Sequence, residues 1–186
     1  MKKLIMFVLS LACVLVMTGC AEQSPNIKEF DATVSYAGWT PKSEIISMAL
    51  NTQKTAVSSV HHLPVYKFDT LKDLEQFKLA FQEILTMERG YDEVPSFNDA
   101  TADYDETFFE ENTLMLVYVD ANSGTYRFGV DRVFCDGNSF CIHVEQTNDP
   151  KVVTDDMAGW FVTVAVPDSM VANCTEFDAD LNNTDD

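Results

Sequence analysis

The stretch from Leu114 to Val166 carries the densest run of apolar positions outside the first nineteen residues, and its pattern predicts four β-strands. They are LMLVYV, YRFGVDRVFC, FCIHVEQ and WFVTVAV. The first is apolar at every position, as expected of a central strand covered on both faces. In the second, Tyr126, Phe128, Val130 and Phe134 share one face, and Arg127, Gly129, Asp131 and Cys135 share the other. The third sets Phe140, Ile142 and Val144 against Cys141, His143 and Glu145, and the last points Trp160, Val162 and Val164 one way. Between Leu71 and about Met87 the period becomes helical: Leu71, Leu74, Phe77, Phe81, Ile84 and Leu85 line one side. Thr70 with Asp73 three residues on is a variant of the capping box, and Gly90 is placed as a terminator. The expected fold is α+β: an antiparallel meander over residues 114–166, with one amphipathic helix over about 71–87 packed on it.

The flanking segments are less regular. Ala32–Tyr36 alternates weakly, as an edge strand does, and Thr40-Pro41 has the residue types of a helix start. Glu44–Leu50 fits helix and strand spacing equally. Val57–Val60 and Leu63–Phe68 read as a strand pair, or as one strand broken near Pro64. Tyr91–Asn112 is acid-rich and holds Pro95, which makes it a surface connection with a short helix near Asp103–Glu111, attached to the core through Phe108 and Phe109. Thr147–Gly159 is a second long connection. The domain plan is a leader over 1–19, an anchor and flexible stalk over 20–31, one globular domain over 32–178 and an acidic tail over 179–186.

The leader has its own logic. Met1–Lys3 is basic, and Leu4–Met17 is an apolar run too short to remain as a membrane span. It ends in Met17-Thr18-Gly19-Cys20, which resembles the lipobox of bacterial lipoproteins. That resemblance implies that the Cys20 thiol receives a diacylglyceryl group and that the leader is cut off just before it. The domain is then a lipid-anchored one on the extracytoplasmic face of the cell membrane, held by two acyl chains at about 0.8 kcal/mol per buried methylene.

The formal charge of −18 narrows the partners. Such a surface repels phosphate backbones, which excludes nucleic acid, and it keeps the body off an anionic bilayer except at its tether. A protein partner at the cell surface remains open. The catalytic inventory is thin. Of three histidines, His61 and His62 are adjacent and on a strand point to opposite faces, so they cannot share one metal. Neither G-x-S-x-G nor H-E-x-x-H occurs, and the residues assign no catalytic group and no cofactor. Asp178, Asp180 and Asn182 have the D-x-D-x-N opening of a calcium loop, but Asn183 stands where the loop needs Gly, so a solvated tail is the simpler reading.

The cysteines depend on a register argument. Apolar faces match across the second and third strands only when paired residue numbers have an even sum. Pairing Cys135 with Cys141 satisfies this, whereas a two-residue Gly137-Asn138 turn pairs Cys135 with Phe140 and mixes the faces, unless a bulge at Gly137 changes the parity. In an oxidising compartment the expectation is a cross-strand Cys135–Cys141 disulfide. Cys174 is then either buried unpaired or bonded to one of the two in place of that choice.

The segment EENTLMLVYVDANSGTYRFGVDRVFCDGNSFCIHVEQTNDP, followed after a gap by WFVTVAVP, resembles a lipoprotein family of gut-dwelling Firmicutes whose role is undefined. More distantly it is similar to the C-terminal domain of the accessory lipoprotein in a spirochaete surface-protease complex. That family has a T-G-G-Y turn between its first two strands. Here the turn is Asn122-Ser123-Gly124-Thr125-Tyr126, with one Gly of the pair missing, and it is also similar to a chagasin-like inhibitor loop. The resemblance covers Asn112–Pro167 and implies a non-enzymatic binding or accessory module. Its alternative is a protease partner or inhibitor that uses this turn, with a hydrolase behind both. Loops on a rigid sheet are where binding residues sit, which marks Asn122–Tyr126 and the Thr147–Gly159 connection as the contact surface.

Overall fold

A computed structural model describes residues 30–41 and 62–182. The leader, Cys20 and most of the stalk, Glu44–Leu50, Val57–Val60, His61 and the last four residues lie outside the described residues.

Among the described residues, eight strands form two four-stranded sheets. The first contains β1 (Asp31–Tyr36), β7 (Ala158–Pro167), β4 (Asn112–Ala121) and β3 (Val65–Phe68), in that order and antiparallel throughout. The second contains β2 (His62–Leu63), β8 (Glu176–Asn182), β6 (Ser139–Gln146) and β5 (Phe128–Asp136). Here β8 runs parallel to β6, and the other pairs are antiparallel. The α+β class is as expected, and all four strands of the 114–166 stretch form. The meander does not. β4 and β5 lie in different sheets, as do β6 and β7, and β4 pairs directly with β7 over ten residues. The reason is burial: β4 and β7 are apolar on both faces and fit the middle of a covered sheet, whereas β5 and β6 each offer one apolar face.

Three layers result. Met115, Val117 and Val119 of β4 and Trp160, Val162 and Val164 of β7 pack against Phe140, Ile142, Val144 and Ala179 of the second sheet. The other face of the first sheet, with Leu114, Leu116, Tyr118 and Phe161, packs against α1 (Leu71–Phe81) through Leu74, Phe77 and Phe81. Each such side chain taken from water contributes about 1.5–3 kcal/mol, so the doubly covered β4 anchors both layers. The Thr70 hydroxyl accepts from the Asp73 N–H and donates to its carboxylate, which caps α1 as the Thr-x-x-Asp pattern predicts. α1 ends at Phe81 rather than near Met87; Leu85 and Met87 stay buried, but in the turn that follows. Pro64 separates β2 from β3 and hands the chain from one sheet to the other. Two four-residue helices, α2 (Phe97–Ala100) and α3 (Asp168–Val171), and a 3-10 turn at Phe108–Glu110 fill the connections.

One domain boundary moves. Residues 179–182, assigned to an acidic tail, complete β8: Phe177, Ala179 and Leu181 point to the core while Asp178 and Asp180 alternate with them, and Asn182 pairs with Glu145. An extended strand cannot curl around a cation, so Asp178, Asp180 and Asn182 do not form a calcium loop.

Candidate functional site

The turn after β4 and the long connection after β6 meet at one end of the domain. Ser123 is fully buried, its hydroxyl 2.9 Å from that of Thr125 and 2.8 Å from that of Thr154. The Gly124 N–H donates to Asp156 at 3.1 Å, and the Tyr91 phenol donates to the same carboxylate at 3.3 Å. A Cβ at position 124 would fall 2.6 Å from Asp156 Oδ2 and 2.7 Å from the Tyr91 oxygen, so glycine is what the close approach requires. Arg127 donates to the Gly124 carbonyl at 2.7 Å, pairs with Asp92 and lays its guanidinium 5.1 Å from the Trp160 ring centre. Hydrogen bonds from Thr154 first, then from the Gly124 N–H, hold the Asp156 carboxyl below its usual pKa of 3.8.

Of the five turn residues singled out by sequence, Ser123 and Gly124 are buried, Thr125 and Tyr126 half-buried, and Asn122 exposed. The turn is therefore largely a brace, with its polar groups spent on holding the neighbouring connection. What that brace presents is an apolar edge: Val152 is 78% exposed, Val153 48% and Met157 47%, all in the connection between β6 and β7. Sequence reasoning named the loop but not these three, because a short apolar run in a loop has no period to betray it.

A second cluster lies on the outer face of the second sheet. Cys141 and His143 alternate on β6, and the parallel register sets Asp178 opposite Cys141 and Asp180 opposite His143. His143 Nδ1 contacts Asp180 Oδ1, and one donor atom each from Cys141, His143 and Asp180 lie within 4.8 Å of one another. Phe134 stacks on the His143 ring at 5.1 Å and 16°, with Arg132 over Phe134 in turn. Burial pushes the Cys141 thiol up to about 11, and the Asp180 and Asp178 carboxylates add to it against Arg132.

This cluster corrects the disulfide. Gly137 (φ +63°) opens a two-residue Gly137-Asn138 turn, Cys135 pairs with Phe140, and Cys141 pairs with Phe134. The parity conflict is resolved by a bulge between Val130 and Arg132: Val130–Val144 pair on one side of it and Val133–Ile142 on the other, both facing the core. Cys135 thus turns inward and Cys141 outward, and no Cys135–Cys141 bond joins them. The neighbour of Cys135 is Cys174, whose thiol donates to its sulfur at 3.4 Å, and both sulfurs contact the Met170 carbonyl. All three thiols are free.

A Cys, a His and an Asp together also compose a nucleophile set. The surroundings oppose that use. β6 is paired on both sides, so its backbone is engaged in the ladders to β5 and β8. The thiol is moreover raised, where a nucleophilic cysteine needs it lowered.

No family model, no curated protein and no solved structure matches the chain.

Proposed function

We propose that this chain is a lipid-anchored, extracytoplasmic module that binds a protein partner and performs no chemistry of its own. The observation that carries the reading is the exposed trio Val152, Val153 and Met157, displayed by a connection that Ser123, Gly124 and Tyr91 hold in place. Apolar side chains on a braced loop lose little conformational entropy on docking, which favours a specific partner over adventitious contact. The lipobox-like Met17-Thr18-Gly19-Cys20 supports placement on the extracytoplasmic face, and the distant resemblance offers a surface-protease complex as the alternative class of partner.

The test is a photo-crosslinking residue at position 152, introduced in living cells. One discrete adduct with a surface protein, lost when Val153→Asp and Met157→Asp are added, is expected. No adduct from position 152, or one indifferent to those changes, contradicts the reading.

A further inference from the structure

We propose that Cys141, His143 and Asp180 form a binding site for a single divalent cation of the zinc type. The site shares no residue with the apolar loop and stands or falls independently of that reading.

The sheet itself assembles the donors. In an extended strand, residues two apart share a face, so Cys141-x-His143 puts a sulfur and an imidazole side by side. The parallel pairing of β6 with β8 then delivers a carboxylate from a neighbouring strand, directly opposite the imidazole. Around a tetrahedral centre with ligand bonds of about 2.0–2.3 Å, donor atoms sit roughly 3.3–3.6 Å apart. The three donor atoms lie within 4.8 Å of one another, and taking an ion would require side-chain rotations that open the His143–Asp180 contact and draw Cys141 in. His143 and Asp180 are already in contact, their side chains 14% and 31% exposed, so an ion has access without being fully open to water.

The donor set decides the class of ion. Magnesium and calcium take oxygen ligands and gain little from a thiol and an imidazole. One sulfur, one nitrogen and one oxygen suit zinc, and the thiolate and carboxylate together neutralise its two charges. On binding, the thiol proton leaves to solvent and the Sγ–metal bond takes its place. Asp178, opposite Cys141, adds negative potential on the same face, and Phe134 against His143 limits the ring's freedom. Three protein ligands leave the fourth position to water.

The experiment is a cobalt titration of the purified full chain under a non-thiol reductant, followed by displacement with zinc. The expected result is a thiolate-to-cobalt charge-transfer band that saturates at one equivalent and is abolished by zinc. Cys141→Ser should remove the band, and His143→Gln and Asp180→Asn should each weaken zinc binding more than about tenfold. Cys135→Ser should leave both readouts unchanged, and the far-UV circular dichroism of each variant should match the parent. No band with the parent protein overturns the proposal. So does a band that survives Cys141→Ser or disappears with Cys135→Ser, which would place the ion at the inner thiol pair.

Discussion

At the scale of single residues, Asp156 shows how a small set of polar contacts holds a loop that the hydrophobic pattern leaves unspecified. Its carboxylate accepts from Thr154 first, then from the Gly124 N–H and the Tyr91 phenol, and these bonds favour the charged form. Because the folded pKa lies below 3.8, the contribution is complete above the unfolded value and is lost as the pH falls through the folded one. The difference in urea midpoint between the parent and Asp156→Asn should therefore be constant from about pH 5 to 7 and close below about pH 4. A difference that persists undiminished at acid pH contradicts this role. None of these contacts is visible in a single sequence, since Tyr91, Gly124 and Asp156 meet only after three separate connections converge. The donors of the outer face are half legible: Cys141-x-His143 on a predicted strand already shares a face. Asp180 joins them only through a parallel pairing that the tail's acidity concealed.

At the scale of elements, the strands and α1 follow from apolar period and the Thr70 cap, and Pro64 marks the sheet change. What escaped the pattern is the bulge between Val130 and Arg132. One inserted residue reverses the parity of everything beyond it, and Asp131 carries no mark that distinguishes it from an ordinary exposed strand residue. Its consequence reaches the cysteines, for it turns Cys135 inward to Cys174 instead of Cys141. Burial first, then Cys174, push the Cys135 thiol up to about 12, so Cys135 itself forms little thiolate at neutral pH. Treatment with oxidised glutathione at alkaline pH should give a Cys135–Cys174 disulfide, seen as one linked peptide, with Cys141 still open to alkylation. The closed loop is long enough for the chain-entropy model to assign about 4 kcal/mol of stabilisation. A Cys135–Cys141 linkage, or alkylation of all three thiols after that treatment, contradicts the register described above.

At the scale of the whole molecule, a helix and two sheets stack around the doubly buried β4, and the proposed contact loop and cation site lie outside that core. The class was legible from composition and period. The pairing of strands was not, because β4 and β7 are interchangeable with other apolar strands until tertiary burial chooses between them. A net charge of −18 would keep such a body off an anionic membrane surface. The function proposed above puts the work of the protein at the outer surface, with Cys20 as its tether. The direct measurement is the partition of the chain between membrane and medium when Cys20→Ser is introduced. The account predicts that the parent sediments with membranes and the variant is released to the medium; a variant that remains in the membrane fraction would contradict it.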